Sequence, residues 1–98
     1  MTTLVECVAI EAPSQLVADT RVEFRDAAFS ALERAGGCAV LRVEMRRTEV
    51  MDASGLGALV MVHRRAQVAG LRTQLANPQV GVRALLAATK LAALFEVV

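Results

Sequence analysis

Ser54 follows Asp52 by two residues, at the point where a polar, arginine-bearing stretch gives way to a helix-patterned apolar one. Either side chain can cap a helix there, its oxygen accepting from the free N–H groups of the first turn. Those N–H groups and the helix dipole also favour negative charge. A phosphate on Ser54 would therefore be held without unfolding the chain. It would bring ~1.5 to 2 negative charges and three strong acceptors to an exposed spot. A binding surface at that place would be switched off while the fold survived.

No hydrolytic or metal-dependent constellation assembles around this serine. His63, the only histidine, falls on the same expected helix roughly 13 Å along the axis at 1.5 Å per residue, too far for a hydrogen bond. It is read as a packed or solvated flank residue. The G-x-S-x-G elbow, the Walker A lysine and the G-x-G-x-x-G loop are all missing, and Gly55-Leu56-Gly57 alone is a weak signal. Cys7 and Cys38 lack zinc-ligand spacing and sit in β-like apolar runs, where buried free thiols in a reducing compartment are expected. No catalytic residue, metal or cofactor is expected.

The elements that position Ser54 can be read from periodicity. Leu4 to Ile10 is an apolar, β-branched strand ended by Ala12-Pro13-Ser14. Thr20-Arg21-Val22-Glu23 has the spacing of a capping box. Phe24, Ala28, Ala31 and Ala35 then form one helix face, which Gly36-Gly37 would end. Cys38 to Met45 alternates, placing Ala39, Leu41, Val43 and Met45 on one buried strand face. Arg46 to Glu49 is polar, and after Val50-Met51 a second helix runs from Asp52 to about Ala69, closed by Gly70. Leu71 to Leu75 is a third strand, Asn77-Pro78 ends it, and Gln79 to Lys90 is helical; Leu91 to Val98 stays unassigned. This β-α-β-α-β-α order predicts an α/β fold, with a mainly parallel sheet of about four strands and helices packed against it.

Composition bounds the rest. At ~100 to 200 residues per domain, 98 residues make one domain, expected to span 1–98. Eleven Lys+Arg against ten Asp+Glu leave a net charge of +1, and aromatics are only 3%, so direct nucleic-acid binding is not expected. The Arg46-Arg47 and Arg64-Arg65 doublets read as solvated rims. No apolar run approaches the ~20 residues of a membrane span, and the N-terminus has no secretory pattern. The chain reads as cytoplasmic, with no membrane insertion.

Placed at 100° per residue, Leu59, Val62, Ala66 and Ala69 form the stripe of the second helix that packs on the sheet. Leu56, Val60, Met61 and Val68 fall partly or wholly outside it, among Arg64 and Arg65. The leftover apolar surface beside a modifiable serine fits a regulated interface. It would also serve a homodimer.

Asp52-Ala53-Ser54-Gly55-Leu56-Gly57-Ala58-Leu59 follows an apolar strand. Gly70, Leu71 to Leu75, Asn77-Pro78 and a final segment ending Leu94-Phe95-Glu96-Val97 come after it. From Cys38 to Val98 this pattern resembles the STAS domain, in particular the bacterial anti-sigma factor antagonists. The resemblance implies that Ser54 is the phosphoacceptor of a partner that is both anti-sigma factor and serine kinase. Unphosphorylated, the domain would bind that partner and free the sigma factor; phosphorylation would end the complex and a phosphatase would restore it. By the same resemblance Asp52 and Gly55 shape the phosphosite loop, and Gly57, Val60, Met61 and Arg64 face the partner.

Several positions depart from the family pattern. Ala53 replaces a common serine, Glu44 stands for an aspartate at the end of the second strand, and Leu16-Val17-Ala18-Asp19 is the nearest match to G-x-L-D before the first helix. The Arg46-Arg47 loop is unusually basic, which fits either pairing with a phosphate on Ser54 or a different partner altogether. A second reading implied by the family is a soluble STAS subunit bound to the ATPase of a lipid-transporting ABC system, with Ser54 a structural or contact residue. A third, a small nucleotide-binding domain gripping phosphate at Ser54, lacks a catalytic constellation.

Overall fold

In the computed structural model, residues 7–98 are described; residues 4–6 of the expected first strand lie outside that range. The elements run β1 (Cys7–Glu11), β2 (Gln15–Leu16), α1 (Arg21–Glu33), β3 (Val40–Glu44), β4 (Val50–Met51), α2 (Ala53–Val68), β5 (Arg72–Ala76), α3 (Val80–Ala88), a 3-10 helix (Leu91–Leu94) and β6 (Glu96–Val97). Four strands form one sheet in the order β1-β3-β5-β6, every neighbour parallel. β2 and β4 pair separately, also in parallel.

The alternation in β3 sets the layers. Leu41 and Val43 are fully buried, and the register places Val8 and Ile10 beside them on one side and Thr73 and Leu75 on the other. Successive strands step one way across the sheet, and crossovers of the usual right hand then put α1 and α2 on the same face. α1 packs on β1, α2 on β5, and the two helices on each other. The opposite sheet face carries Ala9, Arg42, Glu44, Arg72, Gln74 and Glu96, all exposed or half-buried, with Val40 and Ala76 buried among them. A parallel sheet is usually covered on both faces; here polar side chains take the place of a second helical layer.

Leu16, Leu41, Met45, Leu59, Leu75, Leu86, Val43 and Val62 fill the core. Each such side chain contributes about 1.5 to 3 kcal/mol relative to its exposed state. The expected α1 face, Phe24, Ala28, Ala31 and Ala35, is buried throughout.

The helix ends differ from the sequence expectation in instructive ways. Thr20 is the N-cap of α1, but no side chain caps the helix there. Its hydroxyl instead donates to the carbonyl of Gln15 at 2.7 Å and accepts from the N–H of Val17 at 3.0 Å, tying the helix entry to β2. α1 ends at Glu33, before the glycine pair, and only Gly37 is left-handed, at φ +84°. It sits in a turn that the Cys38 N–H closes on the Ala35 carbonyl at 2.7 Å. Cys38 and Ala39 therefore precede β3, and Ala39 is exposed.

Gly70 does end α2, at φ +86°. Its N–H bonds the Gln67 carbonyl and that of Leu71 bonds the Ala66 carbonyl, the paired bonds of a Schellman cap. The third strand runs one residue later than expected, Arg72 to Ala76, and the third helix is shorter, with Gln79 and Thr89 as its caps. The unassigned tail supplies the 3-10 helix and the edge strand β6. Cys7 and Cys38 are free, half-buried thiols.

Candidate interaction site at the start of the second helix

Four short contacts set where α2 begins. The buried Thr48 hydroxyl donates to the Pro13 carbonyl at 2.8 Å, and the Glu49 N–H to the Ser14 carbonyl at 2.8 Å. They bring β4 alongside β2, Gln15 opposite Val50 and Leu16 opposite Met51. Asp52 then takes an extended conformation, φ −109° and ψ −172°, and its Oδ1 accepts the Gly55 N–H at 2.9 Å. Of the two candidate caps, Asp52 is the one used. Its backbone carbonyl accepts the first helical bond, from the Leu56 N–H at 2.9 Å.

Gly55 is fixed by packing. It is buried against the backbone of Leu16, and a β-carbon at 55 would run into the Leu16 carbonyl oxygen. Asp52 and Gly55 thus shape the helix entry, one through its carboxylate and the other through its lack of a side chain.

Ser54 is the second residue of α2 and is half-buried. Among the described residues no hydrogen bond engages its hydroxyl. It lines a groove of about 290 Å³ with Gly57, Ala58 and Met61 of α2 and with Arg21, Val22 and Arg25 of α1. A second hollow of about 360 Å³ continues along the same helix pair, lined by Phe29, Met61, Arg64, Arg65 and Val68. The Arg65 guanidinium lies over the Phe29 ring, 4.6 Å from its centre, and that of Arg25 at 5.9 Å. Stacking of this kind holds a cation over an apolar floor.

Gly57, Met61 and Arg64 are exposed and Val60 is half-buried, so these four share a surface that begins at Ser54. Met61 is 46% and Val68 86% exposed. Two positions of the expected helix face are corrected: Leu56 is buried in the core and Ala69 is exposed. The start of α2 is covered by β2 and β4 as well as by the sheet, which widens its buried arc toward Leu56.

Sequence reasoning missed Arg21, Arg25 and Phe29. Their i, i+4, i+8 spacing, a stripe beside the buried Phe24 and Ala28, was the available signal. Arg46 and Arg47 are exposed, as a solvated rim should be, but they do not meet Ser54. Neither lines the Ser54 groove: Arg47 pairs with Glu11 at 3.1 Å and Arg46 approaches Glu44 at 4.0 Å. Asp19 is exposed in the turn before α1.

Glu44 has a structural task at the strand ends. Its carboxylate accepts from the Asn77 side-chain amide at 3.1 and 3.2 Å and from the Arg46 N–H at 3.1 Å. The Asn77 hydrogen bonds hold its pKa below the ordinary carboxylate value, aided by the Arg46 N–H and charge. Asn77 is left-handed, φ +56°, a conformation asparagine tolerates well.

His63 belongs to the inner side of α2. Its Nδ1 lies 3.3 Å from the Thr73 hydroxyl, and its ring meets Phe95 edge-on at 5.3 Å. Burial, then the charge of Arg64, pushes its pKa below the ordinary histidine value. It stands outside the Ser54 groove. Among the described residues no three His, Cys, Asp or Glu side chains gather as metal ligands, and no helix is long and apolar enough to cross a membrane.

Comparison with known proteins places this geometry. No curated protein matches the chain in sequence. An anti-sigma factor antagonist structure assigned to Thermotoga maritima TM1081 superposes with a TM-score of 0.82 at 18% identity, over 98% of this chain and 81% of that one. Unphosphorylated SpoIIAA, an anti-sigma factor antagonist, gives 0.76 at 22% identity over 100% and 84%. A sulfate transporter family protein from Wolinella succinogenes gives 0.74 at 17% identity over 95% and 74%. At these identities the likeness is one of fold: three helices on a mainly parallel four-stranded sheet. A family model described as "Mlab, STAS domain" matches residues 2–96, nearly the whole length, and the chain therefore belongs to the STAS domain family.

Proposed function

We propose that this STAS domain is a phosphorylation-switched protein-interaction module of the anti-sigma factor antagonist type. The observation that carries the reading is the placement of Ser54. A hydroxyl with no partner among the described residues sits in the first turn of α2, in a groove it shares with the exposed Gly57 and Met61, and Met61 leads on to the adjoining hollow that Arg64 lines. In the proposed cycle the unmodified surface binds an anti-sigma factor that is also a serine kinase. Transfer forms the Ser54 Oγ–P bond as the bond from the γ-phosphorus to the ADP leaving group breaks, and the hydroxyl proton passes to a base on the partner. A phosphatase returns Ser54 to the free hydroxyl.

Asp52 and Gly55 present the serine, and Gly57, Val60, Met61 and Arg64 form the docking face. The chemistry belongs to the partner, so the domain acts as substrate and ligand and not as an enzyme. SpoIIAA, described in both unphosphorylated and phosphorylated forms, shares the fold over the full length of this chain. That two-form relative supports the reading.

A second reading is favoured by the family model's own description, Mlab, and by the sulfate transporter family neighbour. It makes the domain a soluble STAS subunit docked through the same face on the ATPase of a lipid-transporting ABC system. Purification with partners from the native cells, with mass spectrometry of both the partners and Ser54, separates the two. A small ATP-binding anti-sigma kinase together with partial phosphate on Ser54 supports the switch. A transporter ATPase with unmodified Ser54 replaces it with the second reading.

A further inference from the structure

We propose that Arg21 and Arg25 of α1 form the receptor for a phosphate on Ser54, so that the modified serine is held in cis across the α1/α2 groove. The inference rests on the reading of Ser54 as a phosphoacceptor and adds the side chains that receive the charge.

Arg21 and Arg25 lie one helical turn apart and line the same groove as Ser54. The small residues Gly57 and Ala58 line it as well, and a β-carbon built at Gly57 would touch nothing within 4 Å. Room is thus left beside the hydroxyl for a tetrahedral anion.

Arg21 is also out of place for its own helix. It is the first residue of α1, where a cation opposes the helix dipole and an acidic residue would stabilise. No ion pair among the described residues compensates it. Helix stability does not account for an arginine at that position, whereas an anion arriving across the groove does.

Arg25 is available as well. Its carboxylate partner, Asp26, is 63% exposed at 3.1 Å, and a solvated pair of this kind is easily exchanged. A doubly charged phosphate competes favourably for a guanidinium, which binds it through parallel N–H donors. The carboxylate of Asp52, two residues before Ser54, is engaged by the Gly55 N–H.

The charge balance gives the regulatory consequence. Two arginines meet ~1.5 to 2 negative charges, so the phosphate neutralises the cationic edge that the free groove shows a partner. Phosphorylation then masks the docking face as well as adding bulk to it.

The test installs phosphoserine at position 54 during synthesis by an expanded genetic code and follows its second ionisation by 31P NMR. In the otherwise unaltered protein that pKa is expected to fall by about half a unit or more below the ~6 of free phosphoserine. R21Q/R25Q should raise it again, leaving only the share due to the free N–H groups and dipole of the helix start, and R46Q/R47Q should leave it lowered. A pKa at or above the free value, a depression that R21Q/R25Q leaves unchanged, or one abolished by R46Q/R47Q overturns the proposal. Arg21 is exposed and Arg25 half-buried, and a circular-dichroism melt of the double variant establishes that it folds. Because no kinase is needed, the clamp and the cellular switch fail separately: absence of phosphate on Ser54 in cells removes the switch alone.

Discussion

The carbonyl oxygen of Leu16 stands where a β-carbon on residue 55 would have to go. This one contact links the two-residue ladder of β2 and β4 to the first turn of α2, and so fixes the height at which Ser54 emerges. The obstacle is backbone, which cannot swing aside as a side chain would. Gly55→Ala should therefore cost about 2 kcal/mol or more in chemical denaturation. Gly57→Ala, two residues on, meets open space and should stabilise the helix by up to about 1 kcal/mol. Equal losses at both positions would show that helix propensity, and not the Leu16 contact, governs this turn.

Asp52 and Ser54 divide the labour of the helix start, and their variants should separate it. Asp52→Ala removes the side chain that accepts the Gly55 N–H and should lower stability by about 1 kcal/mol. Ser54→Ala should stay within about 0.5 kcal/mol of the parent, keep its partner and refuse phosphate. Ser54→Asp should fold and bind weakly. Binding of both Ser54 variants at parental strength, in cells where the kinase is active, would remove the switch.

Met61 is the apolar centre of the surface shared by the two hollows along α1 and α2. At 46% exposure it contributes little to the core, so Met61→Glu should move stability by no more than about 0.5 kcal/mol. Partner affinity should fall about tenfold or more, because the new charge is forced into an apolar contact. A large drop in melting temperature with affinity intact would place Met61 in the core.

What could be read in the sequence was what local chemistry decides. Leu41 and Val43 alternate with Arg42 and Glu44, and β3 follows. Gly70 ends α2 because a left-handed residue closes both Schellman bonds. Asp52 before Ser54 marks a helix start because capping is settled within four residues. What stayed hidden depends on partners distant in the chain. β2 and β4 have two residues each, too few for any period, and exist because Ser14 and Leu16 carbonyls meet Glu49, Val50 and Asp52 N–H groups. Thr20 had a local use as a cap and a tertiary one at the Gln15 carbonyl, and the second won. A single stripe leaves Leu56 at least partly outside, whereas α2 is covered from more than one side. The meeting of Arg21, Arg25 and Ser54 is set by how α1 lies against α2, which no short spacing encodes.

The inner side of α2 gives a prediction of a different kind, through His63. Its side chain is 7% exposed, beside the Thr73 hydroxyl and the edge of Phe95. Burial and the neighbouring Arg64 charge hold its folded pKa below the unfolded value of 6.5. The unfolded chain thus binds this proton more readily, and wherever it holds more protons stability falls as pH falls. The loss should begin as pH drops through about 6.5 and level off below the folded pKa. Glu44 and Glu96 are also depressed, from 4.5, chiefly by the amides of Asn77 and Gln74. Their contribution is present above the unfolded carboxylate pKa and is lost at lower pH, which leaves roughly pH 8 to 5.5 as the histidine's window. Urea midpoints measured across that window should slope downward toward acid for the parent and lie flat for His63→Gln. An identical slope in the variant would assign the effect to another group.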